Sequence, residues 1–106
     1  MTPSERITAE VTSWPGITTA HGKRGEFSFR LGRREIGHLH GDRVAHFGFP
    51  VAVAAELRAA GRITEHPVGG PALGARGLRD DGDVADAIAL MRLNYDRITA
   101  AHGSGV

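Results

Sequence analysis

The stretch Phe27-Ser28-Phe29-Arg30-Leu31-Gly32-Arg33-Arg34-Glu35-Ile36-Gly37-His38-Leu39-His40-Gly41-Asp42-Arg43 decides the fold. Phe27, Phe29 and Leu31 alternate with Ser28 and Arg30, the period-two pattern of a strand with one buried face. Gly32-Arg33 and Gly41-Asp42 each read as a two-residue hairpin turn. The first turn then sets Arg30 opposite Glu35, Phe29 opposite Ile36 and Phe27 opposite His38, matching charges and apolar groups and placing His38 and His40 on the aromatic face. One extra residue would flip both to the Ser28 face, because side chains alternate with period two. A two-residue second turn pairs His40 with Arg43 and His38 with Ala45, which sends His46 to the opposite face.

Working outward, glycines at positions 22, 25, 32 and 41 divide the segment Ile17 to Phe47 into about four short strands of an antiparallel meander. Upstream, Thr2-Pro3-Ser4-Glu5 is a helix start with a capping box and proline at the first helical position. Ile7, Val11 and Trp14 fall near one face of that helix, and Trp14-Pro15-Gly16 ends it. Downstream of Phe49-Pro50, the Ala-rich run Val51 to Ala60 closes on Gly61 as a second helix. Gly69 to Gly77 is glycine-rich and reads as a loose loop or poor strand. The last helix has Asp83 as its expected cap and the stripe Val84, Ala87, Ile88, Met91, Tyr95, Ile98 at 3/4 spacing. The order of elements implies an α+β two-layer sandwich, an antiparallel β-meander with helices on one face. One domain is expected over residues 1–100, with a flexible tail over 101–106.

Composition narrows the chemistry. The chain has 106 residues, no cysteine, and 13 Lys+Arg against 12 Asp+Glu for a formal net charge of +1. That excludes a disulfide framework, a thiolate nucleophile and a Cys-based zinc site, and it argues against a nucleic-acid partner. No segment approaches the ~20 apolar residues of a membrane span and no signal peptide is visible, so no membrane partner and a cytoplasmic location are expected. No cofactor motif stands out, and the expected state is a monomer or homodimer. Six histidines remain as the chemical asset.

His38-Leu39-His40 followed by Asp42 is the best constellation. Imidazoles at i and i+2 on a strand point the same way about 6–7 Å apart, close enough to hold one ligand between them. Neutral pH lies near histidine's ordinary pKa, which suits acid–base chemistry, and Asp42 could fix an imidazole tautomer. The candidate catalytic set is therefore His38, His40 and Asp42, with Phe27, Arg43, His66 and Tyr95 as candidate ligand-binding residues for a small molecule. Two alternatives stand beside it. Arg33 and Arg34 on a hairpin could grip nucleic-acid phosphates, and His38, His40 and His66 could bind a metal.

Trp14-Pro15-Gly16, Glu26-Phe27, Phe29-Arg30-Leu31-Gly32, Arg34-Glu35-Ile36-Gly37-His38-Leu39-His40-Gly41-Asp42-Arg43, Phe49-Pro50, and Asp83-Val84 through Arg92-Leu93-Asn94-Tyr95 resemble the short bacterial proteins labelled luciferase family or luciferase domain. The Ile36 to Arg43 block is the most specific part, and the label implies no light production. In order of elements the chain is also similar to the YjbR/MmcQ proteins, which implies a frataxin-like fold and a nucleic-acid-binding alternative. Pro71 to Leu78 departs from the family pattern, with Ala, Leu and Gly where a Trp-containing strand is expected.

Overall fold

The alternation read from Ile17 to Phe47 forms β1 (Ile17–His21), β2 (Phe27–Leu31), β3 (Arg34–His40) and β4 (Val44–Gly48) in the computed structural model, which describes residues 1–103. The glycine-rich segment supplies a fifth strand, β5 (Leu73–Gly77), and the sheet runs β1-β2-β3-β4-β5 with every neighbouring pair antiparallel. Gly74 lets β5 form where the family pattern predicts bulk: a Cβ there would stand 2.5 Å from Ile63 Cδ1.

Among the described residues three helices complete an α+β architecture: α1 (Pro3–Val11), α2 (Val51–Ala59) and α3 (Asp81–Gly103). The expected capping box starts α1, with Thr2 and Glu5 exchanging backbone-to-side-chain hydrogen bonds. Helix α3 begins two residues before the expected cap. Asp80 Oδ1 accepts from the Asp83 N–H at 2.8 Å, so Asp80 caps the helix, while the Asp83 carboxylate turns back to the Arg79 N–H and the Arg76 guanidinium. At its far end α3 continues through Gly103, and residues 104–106 of the expected tail lie outside the described residues. No helix among the described residues is long and apolar enough to cross a membrane.

One core joins the two layers. Ile7, Val11, Phe29, Ile36, Leu39, Phe47, Val84, Leu90, Met91 and Ile98 are all buried in a single cluster, joined by Ala54 and Leu57 of α2. The core face of the sheet carries Phe29, Gly37, Leu39, Ala45 and Phe47, as the register shows: Phe29 lies opposite Gly37, and Leu39 opposite Ala45.

That register differs from the expectation in two places, and both corrections concern the histidines. The β2–β3 turn does have two residues, with Leu31 opposite Arg34 and Arg30 opposite Glu35, but the pairing then slips, so that Phe29 meets Gly37 and Ser28 meets His38. Ile36 is the extra residue of a β-bulge. It puts His38 and His40 on the Ser28 face rather than the aromatic face. The β3–β4 turn has three residues, Gly41-Asp42-Arg43, so His38 lies opposite His46 and both share a face. The physical reason is burial: the helix-covered face takes Gly37 and Leu39, and imidazoles there would lose water without hydrogen-bond partners.

Helix α3 holds the bulge. The side chain of Asn94, fully buried, donates from Nδ2 to the Ile36 carbonyl at 3.2 Å and to the Gly48 carbonyl at 2.9 Å. Gly37 permits the close approach, since a Cβ would stand 2.6 Å from Met91 Sδ. Asn94→Leu leaves both carbonyls unpaired and is expected to cost about 2–4 kcal/mol; Gly37→Ala overpacks the same contact by about 1–3 kcal/mol. Urea titrations of the two variants measure both losses, and wild-type midpoints would contradict this account of the bulge.

Candidate functional site

The face of the sheet away from the core carries Ser28 and Arg30 on β2, Glu35, His38 and His40 on β3, and His46 on β4. The loop after α2 brings His66 to the same place. Ring centroids of His38 and His40 are 5.0 Å apart, His38 and His46 5.2 Å, His40 and His46 4.6 Å, and His46 and His66 4.2 Å. Four imidazoles thus form one contiguous cluster. They form one end of an open groove of about 500 Å³ that also reaches Ser28, Arg30 and the β1–β2 turn.

Glu35 organises the cluster. Residues three apart on a regular strand face opposite ways; the bulge at Ile36 puts Glu35 and His38 on one side, where His38 Nδ1 donates to Glu35 Oε2 at 2.9 Å. Burial raises the Glu35 pKa, but the His38 hydrogen bond and charge, the Ser28 hydroxyl and Arg30 outweigh it and hold the carboxyl below its ordinary range. With Nδ1 facing this carboxylate, Nε2 is the His38 nitrogen left for another partner.

His46 is 8% exposed. Burial, reinforced by the neighbouring rings of His66, His40 and His38, pushes its pKa down to about 4, so it is neutral at physiological pH. His66 is shifted down for the same first cause, burial. Its Nδ1 accepts the Val68 N–H at 3.0 Å, so the neutral ring carries its proton on Nε2 and presents a donor to the groove. By contrast, the ligand atoms of His38, His40 and His46 lie within 4.8 Å of one another.

The other residues singled out from sequence are dispersed. Asp42, expected beside the imidazoles, instead accepts the Ser4 N–H at 2.8 Å and ties the β3–β4 turn to the first turn of α1. The Ser4 hydroxyl and that N–H together hold its carboxyl below the ordinary range. Phe27 lies opposite Leu39 on the core side and lines a separate depression against α1. Tyr95 packs on Trp14 under the Arg92 guanidinium and donates to the Pro15 carbonyl at 2.6 Å, a structural role on the helix layer. Arg43 is exposed in the β3–β4 turn and shares a shallow cleft with His40. Arg33 and Arg34 are exposed at the β2–β3 turn, apart from the groove.

Glu35 and His46 are the members that sequence reasoning missed. A signal for Glu35 existed: Ile36 and Leu39 are apolar at an odd spacing with glycine between them, a pattern that a strand satisfies through a bulge, whereas His46 turns on the length of the β3–β4 turn.

An antiparallel meander backed by helices, with four imidazoles gathered on its open face, defines a small α+β protein. The sequence profile of the family described as Luciferase domain matches residues 33–94, more than half of the chain, from the β2–β3 turn to Asn94. The chain belongs to that family. The matched span includes Glu35, all four clustered histidines and the asparagine that holds the bulge. No curated protein and no solved structure matches the chain.

The depressed pKa of His46 makes stability depend on pH. Above its ordinary pKa of 6.5 the ring is neutral folded or unfolded; between there and about 4 only the unfolded chain binds the proton, so stability falls as pH falls through that window. His66 contributes with the same sign. The drop in urea midpoint between about pH 7.5 and about pH 4.5 is expected to be smaller in His46→Gln than in wild type. Equal drops in the two proteins would show that His46 does not carry the effect.

Proposed function

We propose that His38, His40 and His46 hold a divalent transition-metal ion of the zinc class, and that this ion is the centre of a small-molecule site in the groove. The observation that carries the reading is three imidazoles converging on one sheet face, one of them, His38, oriented through Nδ1 by a carboxylate and another, His46, kept neutral by burial. Neutral imidazole is the ligand form that such metals require, and a carboxylate on the far nitrogen fixes the tautomer and raises ligand basicity. His46 replaces His66 in the set expected from sequence, because Nδ1 of His66 is already occupied by the Val68 N–H.

The donor atoms spread to 4.8 Å, wider than the roughly 3.3 Å between ligands of a tetrahedral zinc ion. Small ring rotations on binding close that gap. Three protein ligands on an open groove leave a coordination position for water or a ligand, unlike a closed four-ligand structural site. Metal-free acid–base chemistry fits less well, since a general base works best with a pKa near the operating pH and His46 is held at about 4.

Untagged protein titrated with Co²⁺ is expected to bind about one equivalent with the d–d absorption of a low-coordinate site. His46→Ala abolishes the spectrum, and Glu35→Gln weakens metal affinity about 10–100-fold. Asp42→Asn leaves affinity unchanged, because Asp42 belongs to the α1 contact. A flat Co²⁺ titration of folded wild-type protein, or an unaltered one in His46→Ala, refutes the metal reading.

A further inference from the structure

Several of the chain's cations are committed to structure. Arg6 pairs with Asp81, Arg76 with Asp83 and Asp86, Arg79 with Asp83 and Arg92 with Asp96, while Arg58 caps the Leu73 carbonyl. Lys23, Arg24 and Arg30 are different. All three are exposed, none forms an ion pair among the described residues, and all three border the histidine groove.

Their placement follows from the register. Going outward across the exposed face from the histidines on β3 and β4, the next residue is Ser28, opposite His38, and beyond it Ala20, opposite Ser28. Both side chains are small, so they make a low floor. The β1–β2 turn carries Lys23 and Arg24 at one side of that floor, and Arg30, two residues along β2 from Ser28, stands at another. His66 and Val68 border the groove at the histidine end. Two acids belong to the same surroundings: Glu35 accepts from His38, and the Glu26 carboxylate lies over Gly22 in its own turn, where an added Cβ would meet it.

We infer that the groove binds a small acid, a molecule with a carboxylate or phosphonate-type oxyanion that Lys23, Arg24 and Arg30 hold while another of its oxygens faces the histidine cluster. The chemistry favours an anion at both ends. Guanidinium groups match the planar geometry of oxyanions, ammonium supplies a point charge, and the neutral His66 ring offers an Nε2–H donor. Among the described residues the lining holds no aromatic ring other than imidazole, so an apolar ligand finds little to cover it. This inference rests on the metal reading only for the contact at the histidine end; the cationic wall attracts the acid with or without the ion.

Titration of the full chain with succinate and, separately, with methylphosphonate tests it, each with and without one equivalent of Zn²⁺, followed by ¹H–¹⁵N shifts. Amide shifts at Ala20 and Ser28 are expected with at least one acid, stronger with Zn²⁺, and weakened about tenfold or more in the Lys23→Gln/Arg24→Gln/Arg30→Gln variant, whose Zn²⁺ affinity stays that of wild type. Which acid binds tells carboxylate from phosphonate recognition. Zinc binding with no response to either acid, or equal responses in wild type and the triple variant, overturns the inference. Charge-dependent acid binding in a protein that takes up no zinc supports it while refuting the metal centre.

Discussion

The hydrogen bonds from Asn94 to the Ile36 and Gly48 carbonyls are the constraint on which the site depends. A bulge leaves a residue without a ladder partner, and a buried unpaired carbonyl is costly, so the slip at Ile36 persists only if another element satisfies it. Helix α3 does so from the core side. The helix can come close enough because Gly37 has no side chain where Met91 packs. Core packing and backbone pairing thus act on the opposite face of the sheet, where the bulge turns His38 outward and swings Glu35 onto the same side.

From that slip the electrostatics follow. A carboxylate beside His38 orders its ring, while burial, reinforced by the neighbouring rings, disfavours the charged forms of His46 and His66, most strongly at His46. Both effects suit the proposed metal site, since the first orients the His38 ring and the second keeps the His46 ring unprotonated. They act against use of His46 as a base at neutral pH. The division of labour across the sheet is clean in physical terms: apolar contacts and the Asn94 amide on one side, titratable groups and unpaired cations on the other.

Much of the fold was legible in local sequence. The capping box at Thr2, the meander from Ile17 to Phe47, the glycine at position 61 and the stripe of α3 are short-range signals, and each appears as an element in the structure. The α3 cap was displaced by three residues because Asp80 and Asp83 are equally good capping side chains, and only their partners distinguish them. Of the site, the His38/His40 pair was visible as an i, i+2 spacing. His46 and Glu35 were not placed, since each one-residue change in a turn or strand reverses a face. Asp42 was given to the histidines because sequence proximity does not show that α1 has an N–H to satisfy nearby.

By itself, then, the sequence determined the α+β class, the strand count of the meander, the absence of cysteine chemistry and the family to which the chain is similar, because all of these rest on periodicity, caps and composition. The tertiary structure alone decided which face carries the histidines, which carboxylate serves them and that β5 forms from a glycine-rich segment. The physical reason is that these outcomes turn on contacts between residues far apart in the chain: Asn94 with Ile36, Met91 with Gly37, and Ile63 with Gly74.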